Sequence, residues 1–311
     1  MAATRRTLSA NGLDIAFVEE GAGPLVLLCH GWPELSYSWR RQIPVLAAAG
    51  YRVVAPDMRG YGATSAPEAI DAYSIFDLVG DMVALIGALG ERQAIVVGHD
   101  WGANVAWHCA LFRPDLFQAV AGLSVPYRRR GPAPPLDILR RKGLETFYWL
   151  YFQPPGQAEA EFERDVERTM RAAFYGRGLS LIMKPGKGFL EDAQIADAPP
   201  AWLSEAEIAH YADIFRRTGF RGGLNWYRNI DRNWTLTAPW RDAKIAQPAL
   251  FIAGSRDGVI SGPLGEAQLK DMDDLLADLR GKLIIEGAGH WIQQERSDEV
   301  NAALLEFLAG L

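Results

Sequence analysis

The pentapeptide Gly98-His99-Asp100-Trp101-Gly102 constrains this chain more than any other stretch. It follows a short apolar run, Ala94 to Val97, and opens a helix-like stretch, Asn104 to Phe112. A strand turning sharply into a helix, with glycine two residues to either side of the bend, has the form of a nucleophile elbow. The residue at the bend is Asp100, and that atom choice restricts the chemistry. A Ser there suits attack on a carbonyl, because the acyl group is hydrolysed in turn. Attack by Ser on a saturated carbon leaves an ether, a dead end, whereas a carboxylate forms an ester that water cleaves at its carbonyl. An Asp at the bend therefore points to carbon–halogen cleavage or epoxide opening. Read only as local structure, the same residues are a tight turn with Asp100 capping the next helix.

Length and charge narrow the class. The 311 residues, 49% of them apolar, can hold one large core or a core with a smaller domain. A net charge of −6 argues against a nucleic-acid or anionic-membrane partner. The basic cluster Arg128-Arg129-Arg130, with Arg140-Arg141-Lys142 nearby, reads as a solvated face. Cys29 and Cys109 each stand inside an apolar stretch and read as buried free thiols of a reducing compartment. Neither has the spacing of a metal or redox motif. Met1 to Gly12 lacks the apolar core of a signal peptide, and no run approaches the ~20 apolar residues of a membrane span. The expectation is a cytoplasmic enzyme.

Strand-like and helix-like segments alternate through the first part of the chain. Leu13–Glu19, Leu25–Cys29, Tyr51–Ala55, Ala94–Val97 and Ala119–Leu123 read as strands, with helices over Ser38–Ala48 and Ile75–Leu89. That rhythm predicts an α/β fold, a mostly parallel sheet flanked by helices. It breaks at Val125, where Pro126, Pro132, Pro134 and Pro135 interrupt regular structure. Up to about Trp240 the segments look helical. Glu159–Phe174 is amphipathic, and Ser204–Thr218 opens with a Ser204/Glu207 capping-box pattern. Strand-like segments resume at Ala249–Ala253 and Lys282–Glu286, and a helix closes the chain over Asp298–Leu308. The expected organisation is a core of residues 1–128 and 241–311 carrying an inserted helical lid, residues 129–240.

A covalent mechanism needs a base for its second step, and His suits proton transfer near neutrality. Of the five histidines, His30 and His99 lie beside turn glycines, His108 is mid-helix and His210 is in the lid. His290, in Gly287-Ala288-Gly289-His290-Trp291, follows the Lys282–Glu286 strand, where an α/β sheet carries its chemistry. Its orienting carboxylate is expected at Asp257, just past the strand Phe251–Ala253, with Asp242 as the fallback on the wrong side of the sheet. The order Asp100, Asp257, His290 is that of nucleophile, acid and base in an α/β-hydrolase. The oxyanion donors are expected to be the backbone N–H groups of Trp101 and, from His30-Gly31-Trp32-Pro33, of Trp32.

These segments, with Asp57-Met58-Arg59-Gly60-Tyr61-Gly62, together resemble the epoxide hydrolases of the α/β-hydrolase fold. Haloalkane dehalogenases share the Asp elbow with its following Trp, so the core alone leaves both open. Phe147-Tyr148-Trp149-Leu150-Tyr151-Phe152-Gln153 and Phe220–Asn229 are similar to the two lid segments that carry the epoxide hydrolase tyrosines. The resemblance implies that Tyr148 and Tyr227 donate to the epoxide oxygen, with Tyr151 as second choice for the first position. Trp101, Trp149 and Tyr151 are the expected substrate contacts. A halide leaves as a stable anion, but an epoxide oxygen leaves as an alkoxide and needs a donor such as a protonated phenol.

The expected activity is conversion of an epoxide, apolar by the aromatic character of the lid, to a vicinal diol. The scheme uses no metal and no cofactor. A haloalkane dehalogenase and a non-catalytic ligand-binding protein are the competing readings.

Overall fold

The computed structural model describes residues 3–177 and 181–311. Strands β1 (Thr4–Ala10) and β2 (Leu13–Glu20) pair antiparallel, with Ala10 opposite Leu13. Asn11 and Gly12 both take positive φ, 50° and 73°, as a two-residue turn must for its twist to match the strands. There follow β3 (Leu25–Cys29), α1 (Ile43–Ala48), β4 (Arg52–Pro56), α2 (Ile75–Ala88), β5 (Ala94–His99), α3 (Trp101–Phe112) and β6 (Phe117–Leu123). The helix expected over Ser38–Ala48 is shorter, because Ser36–Trp39 forms a separate 3-10 turn.

The described residues of 124–244 add no strand to the main sheet. They carry α4 (Pro135–Arg141), α5 (Tyr148–Tyr151), α6 (Gln157–Phe162), α7 (Val166–Tyr175), α8 (Glu205–Thr218), α9 (Arg221–Arg228) and α10 (Ile230–Leu236). The single helix expected over Glu159–Phe174 is two, separated at Glu163–Asp165. Asp165 breaks it by accepting the Arg168 N–H at 3.0 Å and so starting a new helix. Ser204 and Glu207 form the expected capping box on α8. The insert is not wholly helical, since Gly176–Arg177 pairs with Gln194–Ile195.

The chain then returns through β7 (Ile245–Gly254), α11 (Gly262–Leu275), β8 (Leu276–Ile285), α12 (Ile292–Glu295) and α13 (Ser297–Ala309). The eight strands lie in the order β1-β2-β4-β3-β5-β6-β7-β8, parallel from β4 onward. Side chains of β3 alternate between two cores. Leu25, Leu27 and Cys29 join the apolar residues of α2 and α3, while Val26 and Leu28 join those of α1 and α13. Full burial of one such aliphatic side chain contributes roughly 1.5–3 kcal/mol. Cys29 and Cys109 are buried free thiols. No helix among the described residues is long and apolar enough to cross a membrane. The parallel strands deliver their carboxyl ends to one edge, where Asp100, Asp257 and His290 follow β5, β7 and β8.

Candidate active site

The elbow depends on its two glycines. A Cβ on Gly98 would stand 2.0 Å from the Gly102 carbonyl oxygen, and one on Gly102 would stand 2.0 Å from that of Cys29. Any larger residue would push α3 off the sheet. Between them Asp100 takes φ 53° and ψ −119°, a conformation that L residues rarely adopt. The bend aims its carboxylate off the end of β5 instead of back along the helix.

Each carboxylate oxygen has a different neighbour. The Trp32 N–H donates to Asp100 Oδ1 at 2.8 Å. His290 Nε2 stands 3.6 Å from Oδ2. Trp101 opens α3, so its N–H is among the amides a helix leaves without an intrahelical partner. On its other side His290 Nδ1 is 2.9 Å from Asp257 Oδ2, and Asp257 Oδ1 accepts the Val259 N–H at 2.9 Å. Asp242, the fallback, is exposed and takes no part.

The electrostatics follow from burial and charge. Burial acts to raise the Asp257 carboxyl, but the His290 imidazole and the Val259 N–H outweigh it and hold the group below the usual range. Burial disfavours the His290 imidazolium. The charges of Asp257 and Asp100 overcome that and lift its pKa well above the ordinary value.

Tyr148 and Tyr227, from α5 and α9, line one cavity of about 370 Å³ with Asp100, Trp101 and Trp149. Their ring centroids are 5.8 Å apart. Burial raises both phenols, and the Asp100 charge adds to the shift, so each keeps its proton at neutral pH. Tyr151 is not among the residues lining this cavity: its hydroxyl donates to Glu161 Oε2 at 2.9 Å. The one-turn helix α5 places Tyr148 on the cavity wall and Tyr151 beside Glu161.

Two residues beneath the site carry no sequence signal. Glu34 is fully buried and accepts from the Gly31 N–H at 2.9 Å and from Gln293 Nε2 at 2.8 Å. Gln294 Nε2 adds a longer bond at 3.4 Å, His99 Nδ1 lies 2.7 Å away, and His99 Nε2 meets the His290 carbonyl oxygen at 2.8 Å. Ser124 Oγ donates to that same carbonyl at 2.7 Å. Burial would raise the Glu34 carboxyl, yet His99 and the Gly31 N–H bring it down to about 2. The loop bearing Trp32 and the loop bearing His290 are thus tied to one buried anion. His30 has a packing role, whereas His108 lines the cavity with its Nδ1 2.7 Å from the Asn104 carbonyl oxygen. His30 Nε2 accepts the Met58 N–H at 2.9 Å, and burial lowers His108 to about 4.

Residues 24–297 match the α/β hydrolase fold family. The chain is 47% identical to epoxide hydrolase A of Mycobacterium tuberculosis, over 100% of this chain and 98% of that relative. Epoxide hydrolase A from Mycobacterium thermoresistibile has a crystal structure that superposes with a TM-score of 0.94 at 47% identity, covering 100% of this chain and 99% of that one. The structure of potato (Solanum tuberosum) epoxide hydrolase I gives 0.92 at 38% identity and covers 100% of both chains. An Asp elbow, a His–Asp pair facing it and this likeness along the whole chain lead to one family: the chain belongs to the epoxide hydrolases of the α/β-hydrolase fold.

Proposed function

We propose that this protein hydrolyses an epoxide to a vicinal diol through a covalent ester on Asp100, beneath a lid formed by the insert between β6 and β7. The observation that carries the reading is one cavity lined by the Asp100 carboxylate and the phenols of Tyr148 and Tyr227, both of which burial pushes toward the protonated form. Asp100 Oδ1 is held by the Trp32 N–H, which leaves Oδ2 to attack a ring carbon. Tyr148 and Tyr227 donate to the epoxide oxygen as the carbon–oxygen bond breaks, and one phenol's proton completes the new hydroxyl. The product of this step is a hydroxyalkyl ester.

Ester formation removes the Asp100 charge, and with it one of the two anions that favour the His290 imidazolium. His290 loses its proton more readily at the step that needs a base. Held by Asp257, it takes a proton from water, which attacks the ester carbonyl. Charge builds on Oδ1, where Trp32 and Trp101 supply N–H donors. Collapse breaks the bond between the carbonyl carbon and the ester oxygen borne by the substrate. The imidazolium's proton and that of the new carboxyl go to the leaving alkoxide and the phenolate, and the diol departs with Asp100 restored as a carboxylate carrying an oxygen from water. The sequence of steps calls on no metal or cofactor. Trp101 and Trp149 supply apolar cavity wall for the substrate's substituent.

Two predictions follow from this division of labour. Tyr227→Phe is expected to slow ring opening about ten- to hundredfold, and the double change with Tyr148→Phe to remove nearly all of it. Single-turnover quenched-flow kinetics on the alkylation step measures both, and an unaffected double variant contradicts the assignment. The second concerns charge. Asp100→Asn leaves His290 with Asp257 as its sole anionic partner, so its pKa is expected to fall relative to the wild type. Titration of the His290 ring signals by NMR reads this, and an unchanged or higher value contradicts the coupling.

The reaction class is tested by offering styrene oxide and 1-bromobutane to the purified protein in parallel. Diol without bromide release is the expected result. Bromide release without diol would make the chain a dehalogenase, and an epoxide bound and released unchanged would make it a binding protein.

A further inference from the structure

Helix α3 starts at the nucleophile and runs on along the cavity wall, and the proposed reaction uses only its first residue. Asn104 and His108, one and two turns beyond Asp100, line the same cavity. Residues four apart share a helix face, so the two continue the line that begins at the nucleophile. At 1.5 Å per residue they stand roughly 6 and 12 Å along the axis from it. Tyr127, which follows β6, lines the cavity beside them, its ring centroid 6.4 Å from that of His108.

The protonation of His108 is set by its neighbours. Nδ1 stands 2.7 Å from the Asn104 carbonyl oxygen, which only accepts, so Nδ1 carries the proton. Burial, helped by the nearby Arg128 charge, lowers the ring to about 4, so near neutrality it is uncharged. Nε2 therefore presents a lone pair, and no described residue donates to it. The Asn104 side-chain amide and the Tyr127 hydroxyl likewise make no hydrogen bond to a described residue. Burial lifts the Tyr127 phenol to about 12, so it keeps its proton as a donor. Other polar groups of this wall are engaged by the protein. Asn233 Oδ1 accepts the Ile75 N–H at 2.8 Å, and Thr237 Oγ1 donates to the Asn233 carbonyl oxygen at 2.8 Å.

We infer that Asn104, His108 and Tyr127 form a subsite for a hydroxyl group, so that the substrate is an epoxide bearing an uncharged alcohol one to two helical turns from the carbon under attack. The Nε2 lone pair requires a donor, which an ether, a ketone or a carboxylate cannot supply. An ammonium would donate, but Arg128 on the same wall repels it. A hydroxyl donates to Nε2 and accepts from the Asn104 amide or the Tyr127 hydroxyl, so it meets both kinds of group at once. A substrate that displaces water from Nε2 without supplying a donor leaves that acceptor unpaired, at a cost in affinity. Leu111, Val125 and Ile230 line the same space and suit the carbon chain between the two ends. The inference rests on the epoxide hydrolase reading, which hydroxyl-free substrates test separately.

The test compares terminal epoxides of graded chain length carrying a hydroxyl at the far end with their methyl ethers, which keep the oxygen and lose its proton. At the length that reaches His108, the wild type is expected to favour the alcohol over the ether by about tenfold in kcat/KM. The preference should appear in KM with kcat unchanged, because a bond remote from the ring is made equally in the ground and transition states. In His108→Phe, which keeps a planar ring and loses the lone pair, the alcohol-to-ether ratio should fall toward one. Asn104→Leu, at the cavity surface, should lower the ratio by a smaller factor. Circular dichroism checks that both variants fold. A wild-type ratio of one or less at every length with the ethers turned over, or a ratio that survives both changes, overturns the inference and leaves the epoxide hydrolase reading standing. Failure to turn over any of these epoxides, styrene oxide included, removes both.

Discussion

Asp100→Ala is expected to lower epoxide turnover by on the order of 10⁴-fold or more, as the loss of a covalent nucleophile does. The geometry leaves no substitute. Asp100 is the only carboxylate among the described residues lining the cavity, and Asp257 is buried behind His290 and engaged by it and by the Val259 N–H. The variant is expected to fold, because the close backbone approach of the elbow rests on Gly98 and Gly102 and not on the Asp100 carboxylate. Diol formation by chromatography, with folding checked by circular dichroism, reads the result. Activity within tenfold of the wild type would mean that water is activated directly and that no ester forms.

His290→Gln separates the two halves of the reaction. Its ring stands 3.6 Å from Asp100 Oδ2 and acts after the ester exists, so ring opening is expected to continue while hydrolysis fails. The enzyme should then turn over once and stop. Intact-protein mass spectrometry is expected to show the protein heavier by one substrate, with the modification on Asp100 after digestion. Continued turnover with no adduct would place the base elsewhere. Glutamine accepts a hydrogen bond but is no base near neutrality, so the rate of the second step should fall by about 10²–10⁴-fold.

How much of this was legible in the sequence depends on the range over which each interaction acts. The elbow was readable because its constraints are local: Gly98 and Gly102 are required by backbone contacts within five residues of each other and with β3. The positions of Asp257 and His290 followed from strand ends, which periodicity finds. β1 was not read as a strand, since Thr4–Ala10 is mostly exposed and shows no apolar alternation. The break between α6 and α7 hinges on one capping bond from Asp165, which an amphipathic pattern runs straight across.

Other misses come from contacts distant in the chain. Glu34 sits in a turn and meets partners 65 and 259 residues away, so nothing around it signals a buried anion. Tyr148 and Tyr151 share a four-residue helix, and only tertiary packing against Glu161 separates them.

The covalent route is tested most directly by one turnover in ¹⁸O-labelled water with enzyme in excess over epoxide. If Asp100 forms the ester and water attacks its carbonyl, the first diol carries only unlabelled oxygen and the label appears in the Asp100 carboxylate. Label in the diol from that first turnover, with none on Asp100, would contradict the account.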